Sequence, residues 1–268
     1  MVSNSSIIAI VVVMILSVAI PLGMLFFLKN KYEIGVRAFF FGCIAFILFP
    51  GMLEQLFHSV VQFTPLWDIL TNNILLYAIY GGVAAGFFEE TARFIVMNNI
   101  LTKEREEPHT ALMYGAGHGG MEAIFIVGSA MVNNLIYANL INAGKSDILL
   151  ANLPANQVDT MTNALNQLVS AKWYDFFTGI IERIPAIAIH ISLSILIWIA
   201  IVRIKPYFYL IAVFIHALVD GLMVIVSSKL SDTAHPVLFT EIFIFVEGII
   251  VVSYAIYMWK KYLAPAKK

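Results

Sequence analysis

Residues 7–28 read IIAIVVVMILSVAIPLGMLFFL, 22 positions without a single charged side chain. At a rise of ~1.5 Å per residue, a helix of that length covers the hydrocarbon core of a bilayer. Residues 1–6 hold no Lys or Arg, and the apolar run is too long for a signal-peptide core, so it reads as a retained first membrane span. Working outward, six more apolar stretches follow at about 36–60, 74–100, 110–141, 176–202, 207–228 and 238–258. None alternates with period two, which speaks for helices and against a barrel. The whole chain agrees: 268 residues, 60% hydrophobic and 12% charged, against about 25% charged in soluble domains. Mean hydropathy is +0.87. The expected fold is all-α, a polytopic membrane helical bundle of about seven transmembrane helices, forming one integral-membrane domain over residues 1–268. A net charge of −1 without a basic cluster excludes nucleic acid as a partner. Cys43 is the single cysteine, so neither an internal disulfide nor a cysteine-built metal site is available.

The basic residues orient the bundle. Lys29, Lys31, Arg37, Lys103, Arg105, Arg203, Lys205, Lys260, Lys261, Lys267 and Lys268 fall on one side, and Lys145, Lys172 and Lys229 on the other, eleven against three. By the positive-inside rule the N-terminus lies outside and the C-terminus in the cytoplasm, with a bacterial cytoplasmic membrane as the location. The one sizeable connection, about 142–175, carries Val158, Met161, Leu165, Leu168 and Val169 at helical spacing, which predicts a short amphipathic helix.

Ionisable groups inside spans are costly and tend to mark function. Glu89, Glu90 and Arg93 stand in the third span, His118 and Glu122 in the fourth, His190 in the fifth, and His216 and Asp220 in the sixth. Counted along oriented helices, all fall in one layer roughly 12–20 Å from the cytoplasmic surface. His118/Glu122 and His216/Asp220 are i,i+4 pairs, each projecting from one helix face. Arg93 lies four residues from Glu89 and three from Glu90, and can neutralise one of them. The other keeps a like-charged neighbour in a low-dielectric layer, a setting suited to general acid/base work. Glu54 and His58 count toward the outer side, away from this layer. Gly81, Gly82 and Gly86 precede the Glu pair, and Gly115, Gly117, Gly119 and Gly120 surround His118. They read equally as close helix packing and as room for water or an extended peptide.

Carboxylates and histidines at one depth can activate water and stabilise the oxyanion of an attacked peptide carbonyl. HExxH and GxSxG are both absent. A zinc site of His118, His190 and His216 with a carboxylate is chemically reasonable, although the reaction does not strictly require it. A rival reading is a proton- or metal-cation transporter with an intramembrane Glu/His site. Against it stand the lack of an internal repeat and the scarcity of helix-breaking prolines at that depth, Pro185 excepted.

Three motifs carry a resemblance: Glu89-Glu90-Thr91-Ala92-Arg93, Tyr114-Gly115-Ala116-Gly117-His118 and His216-Ala217-Leu218-Val219-Asp220. They resemble those of the CAAX-processing and bacteriocin-processing (CPBP) intramembrane endopeptidases. With the GHGGME run they look most like the bacterial YhfC branch, related to the PrsW proteases. The resemblance spans roughly residues 75–225. It implies an intramembrane endopeptidase acting on a membrane-anchored peptide or protein within the lipid bilayer. It further implies Glu89 as general base supported by Glu90, Arg93 holding the pair, His118 as second catalytic histidine, and His216 with Asp220 stabilising the oxyanion. Tyr114 takes the aromatic position before His118. Glu122 and His190 join as supporting residues from their depth. Arg93 follows the second Glu by three residues rather than four, and Tyr114 and Asp220 replace the usual Phe and Asn. CAAX processing is therefore not carried over.

Overall fold

The computed structural model describes residues 1–151 and 153–264; Lys267 and Lys268 lie outside the described residues. Among them it is helical throughout, without a strand. In chain order the helices are α1 (Asn4–Tyr32), α2 (Arg37–Leu48), α3 (Gln55–Gln62), α4 (Leu66–Thr71), α5 (Ile74–Asn99), α6 (Thr110–Ala123), α7 (Ser129–Asn142), α8 (Asp147–Leu150), α9 (Ala155–Ser170), α10 (Phe177–Val202), α11 (Tyr207–Leu230) and α12 (Pro236–Tyr262). A π-helical stretch, Phe49–Glu54, joins α2 to α3, and another, Ile124–Gly128, joins α6 to α7. Six helical segments are long and apolar enough to cross a membrane: Asn4–Tyr32, Arg37–Gln62, Thr110–Asn142, Trp173–Val202, Tyr207–Leu230 and Pro236–Tyr262. The remaining expected span is the 26-residue α5, whose Glu89, Glu90, Arg93 and row of glycines dilute its apolar character. The protein is a multi-pass helical membrane protein.

Contacts divide the chain into two compact units. One comprises residues 1–20 and 123–183. Its core joins Ile10 and Val13 of α1 with Val127, Met131 and Ala138, and with Leu168, Phe176 and Ile180. The amphipathic helix expected in the long connection is α9, which turns Leu165 and Leu168 inward and packs on α7. The second unit comprises residues 21–122 and 184–268. Its core centres on Trp198, Leu193, Leu196 and Ile197 of α10, packed with Ala92 and Met97 of α5 and Met113 and Tyr114 of α6.

Lipid tails are as apolar as leucine, so helices associate in a bilayer through close packing and polar pairs. The second unit shows both. Asn73 caps α5, its Oδ1 accepting from Leu75 N at 3.0 Å and Leu76 N at 3.2 Å. From there α5 runs against α11 along Gly82 and Gly86. A Cβ on Gly82 would strike the Ala217 carbonyl, and one on Gly86 would meet the backbone of Val213 and Ala217. Gly81, by contrast, faces open space. This contact sets the Glu pair, one turn further along α5, beside His216.

Candidate active site

Every residue singled out for the site lies in the second unit. Glu89, Glu90 and Arg93 come from α5, Tyr114, His118 and Glu122 from α6, His190 from α10, and His216 and Asp220 from α11. Glu90, Arg93, Tyr114 and His118 are fully buried, and Glu89, His190 and His216 nearly so. The shared depth read from the sequence thus becomes a single cluster in space.

Arg93 organises one side of it. Its Nη1 donates to Glu90 Oε1, and its Nη2 donates to His190 Nδ1 at 3.1 Å. A guanidinium can only donate, so Nδ1 of His190 accepts and the imidazole proton sits on Nε2. That nitrogen faces Glu122 and pairs with its Oε2. Glu90 also meets His216 Nδ1, 2.8 Å from its Oε1. Glu90 therefore serves two partners at once and fixes the orientation of the His216 ring.

Glu89 occupies the other side. Its Oε2 is 2.8 Å from His118 Nε2 and 3.8 Å from His190 Nδ1. Its Oε1 stands 3.9 Å from His216 Nε2. That nitrogen is also 3.5 Å from Asp220 Oδ2, so it faces two carboxylates at more than good hydrogen-bonding distance. Asp220 is the most accessible member, its side chain 41% exposed. The three rings follow one another, His118 to His190 at 5.1 Å and His190 to His216 at 5.5 Å between centroids. Tyr114 stacks on His118 at 6.0 Å, and Phe46 meets it edge-on at 5.5 Å. Small residues bring α6 this near to α10: a Cβ on Gly119 would stand 3.1 Å from the Cβ of His190.

Among the described residues, Glu89, His118 and His190 form a buried trio whose ligand atoms all lie within 4.8 Å of one another. Two ligand atoms on one tetrahedral zinc stand about 3.4 Å apart. The Glu89–His118 and Glu89–His190 separations of 2.8 and 3.8 Å bracket that value. One carboxylate with two imidazoles is also a donor set of catalytic zinc sites with three protein ligands. The residues would fit such an ion with Arg93 released from His190 Nδ1, since that lone pair cannot accept from the guanidinium and ligate at once. The trio holds a carboxylate and two of the three histidines read from the sequence; His216 turns its Nδ1 to Glu90 and its Nε2 stands 3.9 Å from Glu89 Oε1.

Glu54, placed away from the layer by counting, is buried at the end of the π-helical stretch that packs on α5. A regular helix was expected here, whereas Phe49–Glu54 is π-helical with Pro50 in its first turn. A proline inside an apolar span was the available signal. Glu182 and Arg183 pair with each other in the first unit. Glu247 of α12 is buried with its Oε2 unpartnered.

A multi-pass membrane protein with a buried Glu-Glu-Arg-His-His-His cluster is the kind of molecule intramembrane hydrolases are. The chain belongs to the YhfC intramembrane metalloprotease family, whose model matches residues 16–244. It is 34% identical over 222 residues to the uncharacterized membrane protein YhfC of Bacillus subtilis (strain 168), covering 81% of this chain and 84% of that protein. No solved structure matches the chain. The family is one of intramembrane proteases, so this is a membrane-embedded peptidase by descent.

Proposed function

We propose that the protein is an endopeptidase that hydrolyses a peptide bond of a membrane-anchored peptide or protein, with Glu89 activating the water. The observation that carries this reading is the division of labour between the two glutamates. Glu90 is committed to Arg93 and His216. Glu89 keeps one oxygen toward His118 and its other 3.9 Å from His216 Nε2. A water between Glu89 and His216 would meet a base on one side. The oxygen of the carbonyl it attacks would meet the Nε2–H of the His216 imidazolium, whose ring is locked by Glu90. Arg93 holds Glu90 and His190, Asp220 supports the imidazolium of His216, and Glu122 fixes the His190 tautomer. Tyr114 backs the His118 ring.

Glu89 through its Oε2, with His118 and His190, would hold a divalent cation, zinc being the ion their chemistry suits best, and its Oε1 would be left to the water. Such an ion supplies a positive charge that polarises a carbonyl and acidifies water. The family description and the spacing of the trio favour this metallopeptidase form over a glutamate peptidase. The N-terminus lies outside and the C-terminus in the cytoplasm of a bacterial membrane, with the cluster in the inner half of the bilayer.

The test uses purified protein in proteoliposomes with solubilised membrane proteins of the host as substrates, in water enriched in oxygen-18. Hydrolysis places the heavy oxygen in newly formed carboxyl termini, read by mass spectrometry. Labelled termini that vanish with Glu89→Gln are expected. Labelled termini at equal yield with Glu89→Gln would remove Glu89 from the role given to it.

A further inference from the structure

A second chain of titratable groups leads toward the cluster, and the proposed hydrolysis does not use it. Glu54 Oε1 lies 3.2 Å from His58 Nε2, and His58 Nδ1 lies 2.6 Å from the hydroxyl of Tyr80. Glu54 is 6% exposed, while His58 and Tyr80 are half-buried. Tyr80 lies one turn beyond Tyr77 on α5, and Tyr77 meets Trp67 of α4 edge-on at 6.1 Å. Trp and Tyr gather where apolar and polar zones of a bilayer meet. The outer end of the chain, Tyr80, lies toward the N-terminus of α5, seven residues in from its Asn73 cap. The inner end, Glu54, closes the π-helical stretch that packs on α5, the helix that carries Glu89 and Glu90.

Both nitrogens of His58 are engaged by groups that can exchange a proton. We propose that Tyr80, His58 and Glu54 form a proton relay between the rim of α5 and the buried carboxylate cluster. With Glu54 ionised, His58 donates from Nε2 to the carboxylate and accepts at Nδ1 from the Tyr80 hydroxyl. In one concerted shift the Tyr80 O–H bond breaks as Nδ1–H forms, and the Nε2–H bond breaks as the Glu54 O–H forms. The phenolate oxygen takes a proton from the medium. One proton has entered, Glu54 is neutral, and the imidazole has changed tautomer without net charge. Every hydrogen bond of the trio survives with its direction reversed. Histidine's two inequivalent nitrogens make it the usual shuttle in such chains. Within the hydrolytic reading, on which only this use of the proton rests, the relay restores the protonation of the cluster between turnovers.

The packing of the trio makes a clean variant available. Tyr80→Phe removes only the hydroxyl and keeps the ring that stacks on Phe57 at 6.0 Å. Purified protein in lipid nanodiscs is acidified in a rapid step, and the carboxylic C=O stretch is followed by time-resolved infrared spectroscopy. The band of Glu54 is the one missing in Glu54→Gln. Tyr80→Phe and His58→Gln are expected to slow its appearance about tenfold or more while leaving its final amplitude. An unchanged rate in both variants overturns the relay, and so does the absence of any band lost in Glu54→Gln. The assay needs no peptide substrate, so its outcome is independent of whether the protein cleaves one.

Discussion

Arg93 decides how the two glutamates differ. It bonds Glu90 and His190 from a fully buried position. Breaking one member out of a buried ion pair leaves the other charged and unpaired, which costs about 3–5 kcal/mol. Arg93→Met should therefore lower thermal stability in detergent sharply, and adding Glu90→Gln should recover part of the loss. If Arg93→Met unfolds at the temperature of the wild type, Glu90 does not depend on it. Glu89→Gln should leave the unfolding temperature near that of the wild type and lower turnover by roughly 100-fold or more, the scale of a lost general base. The sequence made this pair legible, since an Arg three residues after one Glu and four after the other can serve only nearby carboxylates. His190 was less legible. A lone histidine on an apolar run gives no motif, and its partners Arg93 and Glu122 come from other helices. The π-helical stretch that carries Glu54 against α5 left no signal in the sequence beyond Pro50.

At the scale of the element, glycines place the chemistry. The sequence left them open between packing and room for substrate, and the contacts of Gly82, Gly86 and Gly119 favour packing. Gly82→Leu should push α5 from α11 and abolish activity with loss of stability. Gly81→Leu, whose Cβ would meet nothing within 4 Å, should be tolerated. Equal damage from both would contradict the assigned contact. A second element-level prediction concerns how α10 ends. Lys205 N bonds Ala200 O at 2.9 Å, with Ile204 between them at φ +51° and 88% exposed. The same closure after α7 uses Gly144 at φ +67°, with Lys145 N on Leu140 O at 2.8 Å. A β-branched residue in that region is strained by about 1–2 kcal/mol, where glycine is not. Ile204→Gly should raise the unfolding temperature by a few degrees; a fall would show that Ile204 contributes packing its exposure conceals. Helix existence and the α9 face were readable from periodicity, whereas short α4 and the two π-helical joints left no periodic signal.

At the scale of the whole molecule, composition made the membrane helical class readable, and the basic residues gave an orientation. Reporter fusions test it: a fluorescent protein at the C-terminus should fold and glow, and alkaline phosphatase inserted near Lys145 should be active. The reverse pattern would invert the bundle. Purified protein analysed for metal should carry about one zinc per chain, reduced in His118→Ala and His190→Ala and retained in His216→Ala. Loss in His216→Ala alone would move the ion to a different set of ligands. The central claim is that Glu89 drives cleavage of a membrane-anchored chain. Wild type and Glu89→Gln, expressed at equal levels in host membranes, should differ in their protein termini as profiled by mass spectrometry. New termini present with wild type and missing with Glu89→Gln are predicted. Identical profiles would contradict the claim.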